Sequence, residues 1–130
     1  MAGGVVLDAG VLVAAERNEK RFWAVWHEII DLPKLVPTPV LAQVWRGQPS
    51  AALERVLKAC RIQILDVWTA KRVGELCART RTSDIADATV MFLASLRGDD
   101  VLTTDLRDMR RLTAGLVFRG RIMDFDAFRP

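Results

Sequence analysis

Histidine and cysteine are scarce in this 130-residue chain, which has one histidine, His27, and two cysteines, Cys60 and Cys77. There is no CxxC pair and no histidine beside either cysteine, so neither a zinc site nor a disulfide scaffold is supported, and both thiols read as buried apolar fillers. Long apolar runs are missing too. Nowhere do eighteen apolar residues follow one another, which removes a transmembrane helix. The apolar start, Met1 to Ala15, has no basic segment and carries Asp8 in its middle, so it fails as a secretory signal and the expected location is the cytoplasm. A basic arm is absent as well: the net charge of +3 splits into +2 before and +1 after the end of Leu65. That excess favours anionic partners without forming a nucleic-acid tail.

What is present has the balance of a globular protein, with 51% apolar and 27% charged residues. At roughly 150 residues per domain, the length leaves room for one domain, spanning residues 1–130. Eleven of the sixteen acids are Asp. Asp is a short, stiff metal ligand and a poor residue for decorating helices.

Along the chain, Gly4 to Leu7 reads as a buried parallel strand ending at Asp8. A short helix follows from Val11 to Ala15, and a longer amphipathic one from Lys20 to Asp31, where Phe22, Trp23, Val25, Trp26, Ile29 and Ile30 recur at helical spacing. Leu35-Val36 is a second strand. Thr38-Pro39 then opens a helix bearing Val40, Leu41, Val44 and Trp45, and Ser50 caps another from Ala51 to Ala59. Ile62 to Val67 is the expected third strand, Ala70 to Ala78 a helix, and Arg79 to Thr82 a polar connection. Ser83 is the expected cap of a deeply buried helix, Ala86 to Leu96. Val101 to Thr103, Leu106 to Leu112 and Arg121 to Asp124 follow as strand, helix and strand. Alternation of this kind predicts an α/β fold in three layers, with a central parallel sheet between helices.

Ligands of such sheets bind beyond the carboxyl ends of the strands, which selects the acids that matter. Asp8 follows the first strand and Asp105 follows the fourth, so both project at one edge. Asp84 and Asp87 are three apart at the start of the buried helix, and Asp108 stands three beyond Asp105. Asp84 and Asp108 suit helix capping equally well. Asp8 and Asp87 lie among Leu7, Ala9, Ala86 and Ala88, where a lone carboxylate is desolvated at high cost. A divalent cation relieves the repulsion, and an all-oxygen donor set points to Mg²⁺ or Mn²⁺. Such an ion orients a phosphate, lowers the pKa of a water and neutralises the transition state of phosphodiester hydrolysis, with no need of a side-chain nucleophile or of His27.

Four segments carry a family resemblance: Val5-Val6-Leu7-Asp8-Ala9, Leu41 to Gly47, Ile85-Ala86-Asp87-Ala88-Thr89-Val90, and Leu102-Thr103-Thr104-Asp105. In order and spacing they resemble the signature segments of PIN-domain ribonucleases, above all the VapC toxins of bacterial type II toxin–antitoxin systems. The resemblance implies a Mg²⁺-dependent endoribonuclease that cuts structured RNA such as tRNA or rRNA, forms a homodimer and is silenced by a VapB-type antitoxin. It makes Asp8 and Asp87 the principal metal ligands and Asp105 a further acidic member, with Asp84 or Asp108 as outer support. Thr103 and Thr104 match the small hydroxyl residues before that last Asp and are candidates to position water or phosphate. One departure stands out: the family pattern usually has Glu where this chain has Gln43, and Gln adds no negative charge. Asp84 offers a compensating carboxylate, so activity is expected to persist with a demand for high Mg²⁺ or a preference for Mn²⁺.

Arg46, Arg79, Arg81, Arg107, Arg110 and Arg111 are candidates for pairing with RNA phosphates, and otherwise form a solvated surface. Trp23, Trp26 and Trp45 are divided between the core and a surface that receives an antitoxin helix. Phosphoaspartyl chemistry fits poorly, since Gly10 stands where a phosphatase of the haloacid-dehalogenase type needs a second Asp, and no Lys follows Lys71 for a receiver domain. The non-enzymatic alternative is a catalytically impaired module of the same fold that binds RNA or antitoxin, motivated by Gln43.

Overall fold

The computed structural model describes residues 3–128, so Met1 and Ala2 of the apolar start lie outside the described residues. The first strand, β1 (Val5–Leu7), is wholly buried, and α1 (Ala9–Glu16) follows it directly. Then come α2 (Lys20–Glu28), β2 (Lys34–Pro37), α3 (Thr38–Val44), α4 (Ala51–Lys58) and β3 (Arg61–Gln63). The second half holds α5 (Val67–Thr80), α6 (Ile85–Arg97), β4 (Asp100–Thr103), α7 (Leu106–Leu112) and β5 (Ile122–Asp124), with 3₁₀ turns at Thr113–Gly115 and Phe125–Ala127.

All four strand pairings are parallel, and the order across the sheet is β3-β2-β1-β4-β5. The α/β architecture read from the sequence is the one observed, a central parallel sheet flanked by helices. Burial explains why: Val5, Val6 and Leu7 are 0% exposed, and a strand covered on both faces has no polar side to alternate with. Each such side chain contributes about 1.5–3 kcal/mol of burial. The helix α6 packs on β1, β2 and β4, which is why it is apolar on nearly every face. Among the described residues, no helix is long and apolar enough to cross a membrane.

Several boundaries differ from expectation. Helix α2 stops at Glu28 rather than Asp31, because the Lys34 ammonium takes the carbonyls of Ile30 and Leu32, each at 2.9 Å, and bends the chain into β2. Strand β3 ends at Gln63 instead of reaching Val67. There Asp66 accepts a hydrogen bond from the Thr69 amide at 2.7 Å and caps α5, so Val67 and Trp68 are helical despite their β propensity. The same helix runs on through Arg79 and Thr80, which are therefore not part of a connecting loop, and stops at Arg81 in the left-handed conformation (φ 55°). Asp84, not Ser83, caps α6. Thr38 is the first residue of α3 rather than its cap, and its hydroxyl instead accepts from the Leu65 amide at 3.1 Å.

The order of the strands reverses between β1 and β4, which are adjacent although most of the chain lies between them. Leu7 pairs with Leu102, so Asp8 and Thr103 leave the sheet side by side. Gly10, in the first turn of α1, lets that turn lie against the β4–α7 loop: a Cβ there would stand 2.8 Å from both Cβ and Cγ2 of Thr104. Gly74, within α5, faces open space. Gly10→Ala is therefore expected to destabilise the fold by on the order of 1–3 kcal/mol through overpacking. Gly74→Ala should stabilise it by roughly 0.5–1 kcal/mol through helix propensity. Thermal denaturation followed by circular dichroism reads both, and equal effects of the two changes would contradict the packing described here.

Candidate metal centre

Five carboxylates gather at the carboxyl edge of β1 and β4, and each is placed by a helix start. Asp8 caps α1, Asp84 caps α6 and Asp105 caps α7, while Asp87 and Asp108 lie in the first turns of α6 and α7. Asp8 is the deepest, 2% exposed. One of its oxygens accepts from the Val11 amide at 3.0 Å; the other accepts from the Thr104 amide at 3.0 Å and from the Thr103 hydroxyl in a short hydrogen bond. Thr103 in turn accepts from the Asp105 amide at 2.8 Å. It is a bridge between the two acids that the sequence places at strand ends. Asp84 accepts from the Asp87 amide at 2.9 Å, and Asp105 from the Asp108 amide at 3.4 Å.

Oxygens of Asp87, Asp105 and Asp108 all lie within 4.8 Å of one another, the spacing of ligands around one ion. Asp108, though exposed, thus belongs to the acidic group whose oxygens lie nearest one another, where sequence reading placed it as outer support. The signal was the three-residue step from Asp105, which puts both on one helical face. Asp8 sits beneath, its oxygens already engaged by three donors, yet close enough for its charge and that of Asp105 to act on each other.

None of the five forms an ion pair with Lys or Arg among the described residues. Contrast Asp99, equally buried at the opposite pole of the sheet, which holds Arg97 at 2.9 Å. The lack of a counter-charge is felt in the protonation equilibria. Burial, and then the charges of Asp84, Asp8, Asp105 and Asp108, push the Asp87 carboxyl up to about 7. Burial also raises Asp8, against the pull of its three hydrogen bonds, and raises Asp105, helped by Asp108. All-oxygen donors crowded in this way fit a hard divalent cation.

Around this centre, Thr104 gives its backbone amide to Asp8, while its side chain packs on Gly10. Gln43 is exposed on α3 and shares a cleft with Asp84. Arg46 donates to the carbonyls of Ala42 and Trp45, and Arg79 to that of Gly115. Arg81, Arg107, Arg110 and Arg111 are exposed, and their guanidinium groups make no hydrogen bond or ion pair among the described residues. His27 is exposed on α2, away in sequence from every acid of the centre. Both cysteines are free, their thiols raised by burial, Cys60 to about 11.

The tryptophans divide. Trp26 is buried and stacks on Phe22 at 5.6 Å, and Trp23 meets Phe22 edge-on at 5.0 Å. Trp45 is 45% exposed. Together with Leu41, Leu57 and Ile62 it lines an apolar cleft of about 410 Å³. Trp68, on α5, lies 5.9 Å from the Phe92 ring under Arg72.

The PIN-domain family model matches residues 5–114. Among solved structures, the chain is similar to VapBC2 from Rickettsia felis bound to a DNA fragment from its promoter, at 14% identity over 92% of this chain and 98% of that one, with a TM-score of 0.66. DNA-bound VapBC from Salmonella typhimurium is similar at 20% identity over 94% and 98% of the two chains, with a TM-score of 0.65. PAE2754 from Pyrobaculum aerophilum is similar at 17% identity over 94% and 92%, with a TM-score of 0.57. At such identities these likenesses are of fold. No curated protein matches significantly in sequence. The parallel sheet, the acids at the ends of β1 and β4 and the family match over most of its length agree: the chain belongs to the PIN-domain family.

Proposed function

We propose that the chain is a divalent-metal-dependent endoribonuclease of the VapC toxin type, acting on structured RNA such as tRNA or rRNA and neutralised by a VapB-type antitoxin. The observation that carries this reading is the convergence of Asp87, Asp105 and Asp108 at the carboxyl edge of the sheet with no cationic side chain to balance them among the described residues. Bound Mg²⁺ or Mn²⁺ would activate a water and neutralise charge developing on the phosphate.

Asp8, Asp87 and Asp105 would hold the ion, with Asp108 close enough to Asp87 and Asp105 to join them. Asp8 also fixes Thr103 and Thr104, and through Thr103 the amide of Asp105. Asp84 fixes the amide of Asp87. Phosphates flanking the cleaved bond would meet Arg46, Arg79 and Arg81, whose guanidinium groups pair bidentately with phosphate oxygens. The likeness to VapBC complexes supports an antitoxin partner, and the apolar cleft beside Trp45 suits an amphipathic segment of it.

Asp87→Asn should lower RNA cleavage at saturating Mg²⁺ by about a hundredfold or more while the circular dichroism spectrum is kept. Mapping RNA ends after brief expression reads this in cells. A chain that cut no RNA with Mg²⁺ or Mn²⁺ at any concentration, or that cut equally well after the Asp87→Asn change, would sink the proposal.

The raised Asp87 carboxyl makes a second prediction. Its unfolded value is about 3.9 and its folded value about 7, so the fold disfavours the ionised form. Stability is then highest near and below pH 4 for this group, declines as pH rises through about 7, and the loss is complete only above that value. Without metal, the melting temperature should fall between pH 5 and pH 8 by several degrees, and Asp87→Asn should remove much of that fall. Added Mg²⁺ or Mn²⁺ should restore the wild-type melting temperature at pH 8, by mass action on the folded state. Scanning fluorimetry measures all three, and a melting temperature indifferent to pH and metal would contradict the coupling.

A further inference from the structure

At the amino ends of the strands, the pole opposite the acidic centre, lies a small cavity of about 110 Å³ lined by Pro33, Lys34, Leu35, Arg61, Arg97 and Asp99. The sheet register assembles it. Lys34 opens β2 beside Val5 of β1, Arg61 opens β3 beside Leu35, and Arg97 ends α6 just before the turn to β4. Lys34 is only 7% exposed. Its ammonium lies 4.7 Å from the centre of the Trp26 ring and donates to the carbonyls of Ile30 and Leu32, which leaves one of its three hydrogens over. No carboxylate pairs with it among the described residues, and the Arg61 guanidinium makes no hydrogen bond or ion pair there either. Asp99 is the one acid on the cavity wall, and it is engaged by Arg97 at 2.9 Å and by the Gly4 amide at 3.2 Å.

Three cationic side chains against one anionic leave two positive charges around this space. A buried ammonium held only by neutral carbonyls and a ring bears the cost of leaving water, which an anion beside it relieves. Volume sets the size of that anion. Sites for drug-sized ligands run to roughly 300–1,000 Å³, so a cavity of about 110 Å³ excludes a nucleoside and admits a single small ion. Charge and donors set its kind. Two surplus positive charges match a dianion, and Lys34, Arg61 and Arg97 stand on three different elements. A tetrahedral oxyanion has an oxygen for each of them, whereas a planar carboxylate has two oxygens and one charge.

We propose that this cavity is a binding site for a doubly charged tetrahedral oxyanion, held by Lys34, Arg61 and Arg97. Its sources are free phosphate or sulfate and the terminal monophosphate of a larger molecule. The inference is independent of the nuclease reading, because none of these residues belongs to the acidic centre. The bound anion ties the starts of β2 and β3 to the end of α6, the helix whose other end carries Asp87.

Scanning fluorimetry of the whole chain, with divalent metals chelated and ionic strength held constant, reads binding through the melting temperature. Sulfate and phosphate should each raise it by several degrees and saturably, while chloride and acetate should not. Arg61 is exposed, so Arg61→Gln should keep the fold and weaken the apparent affinity for sulfate by about tenfold, the loss of one charge-assisted hydrogen bond. Lys34→Met should abolish the shift. Where that variant fails to fold, since Lys34 also holds the chain between α2 and β2, Arg61→Gln decides alone. Calorimetric titration of sulfate in the presence of short RNA oligomers separates the sources. An oligomer with a 5′-phosphate should weaken sulfate binding, and its 5′-hydroxyl counterpart should not, if a terminal monophosphate enters; neither does so if only the free ion fits. The site is overturned if sulfate and phosphate shift the melting temperature no more than acetate does, or if Arg61→Gln leaves their effect unchanged.

Discussion

Mutual repulsion among carboxylates is the constraint around which this molecule is organised. Five of them meet at one edge of the sheet with no Lys or Arg paired to any among the described residues, and the fold tolerates this by giving three of them a second task. Asp8, Asp84 and Asp105 cap α1, α6 and α7, so three helix N-termini, each with a partial positive charge of roughly half an electron, are turned toward the same negative region. Backbone amides take up part of the charge: Val11 and Thr104 on Asp8, Asp87 on Asp84, Asp108 on Asp105. What remains is largest at Asp87, which caps nothing and feels all four neighbours. The acid left with the most unbalanced charge is thus also one whose ionisation weakens the fold.

The second organising feature is the reversal of strand order at β1 and β4. Adjacent parallel strands that belong to opposite ends of the sequence leave a crevice where their following loops part, and ligands settle in such crevices. Thr103 closes that crevice from below, donating to Asp8 and accepting from Asp105. Gly10 allows the first turn of α1 to approach Thr104 closely enough for this. The acids are thus held by a short chain of contacts running from one strand to the other, and each contact depends on the register of Leu7 against Leu102.

Much of this was legible in the sequence because it follows from period and placement. The apolar runs Val5–Leu7 and Val101–Leu102 announced buried strands, and an Asp soon after each announced the cluster of acids at one edge. The three-residue steps from Asp84 to Asp87 and from Asp105 to Asp108 announced shared faces. What sequence missed were competitions between local signals. Val67 and Trp68 favour a strand, yet the cap at Asp66 outweighs them. Ser83 and Asp84 are both good caps, and Asp84 takes the position because Thr82 accepts from its amide and fixes the turn. Arg79 and Thr80 looked like a polar loop, but the Thr80 hydroxyl returns to the Leu76 carbonyl at 2.8 Å and stays within the helix. The three-residue step put Asp108 beside Asp105, but its nearness to Asp87 follows from the packing of α7 against α6, which sequence does not state.

The hydrogen bond from Thr103 to Asp8 joins residues 95 positions apart. During synthesis, β1 emerges from the ribosome long before β4, and contacts of such separation are the last to be made. Until Asp108 has been translated, the nascent polypeptide holds its acids on unconnected stretches and presents nothing around which an ion can be gathered. A half-made molecule consequently carries no assembled centre, and whatever chemistry the finished edge performs begins only after nearly all of this stretch has left the ribosome.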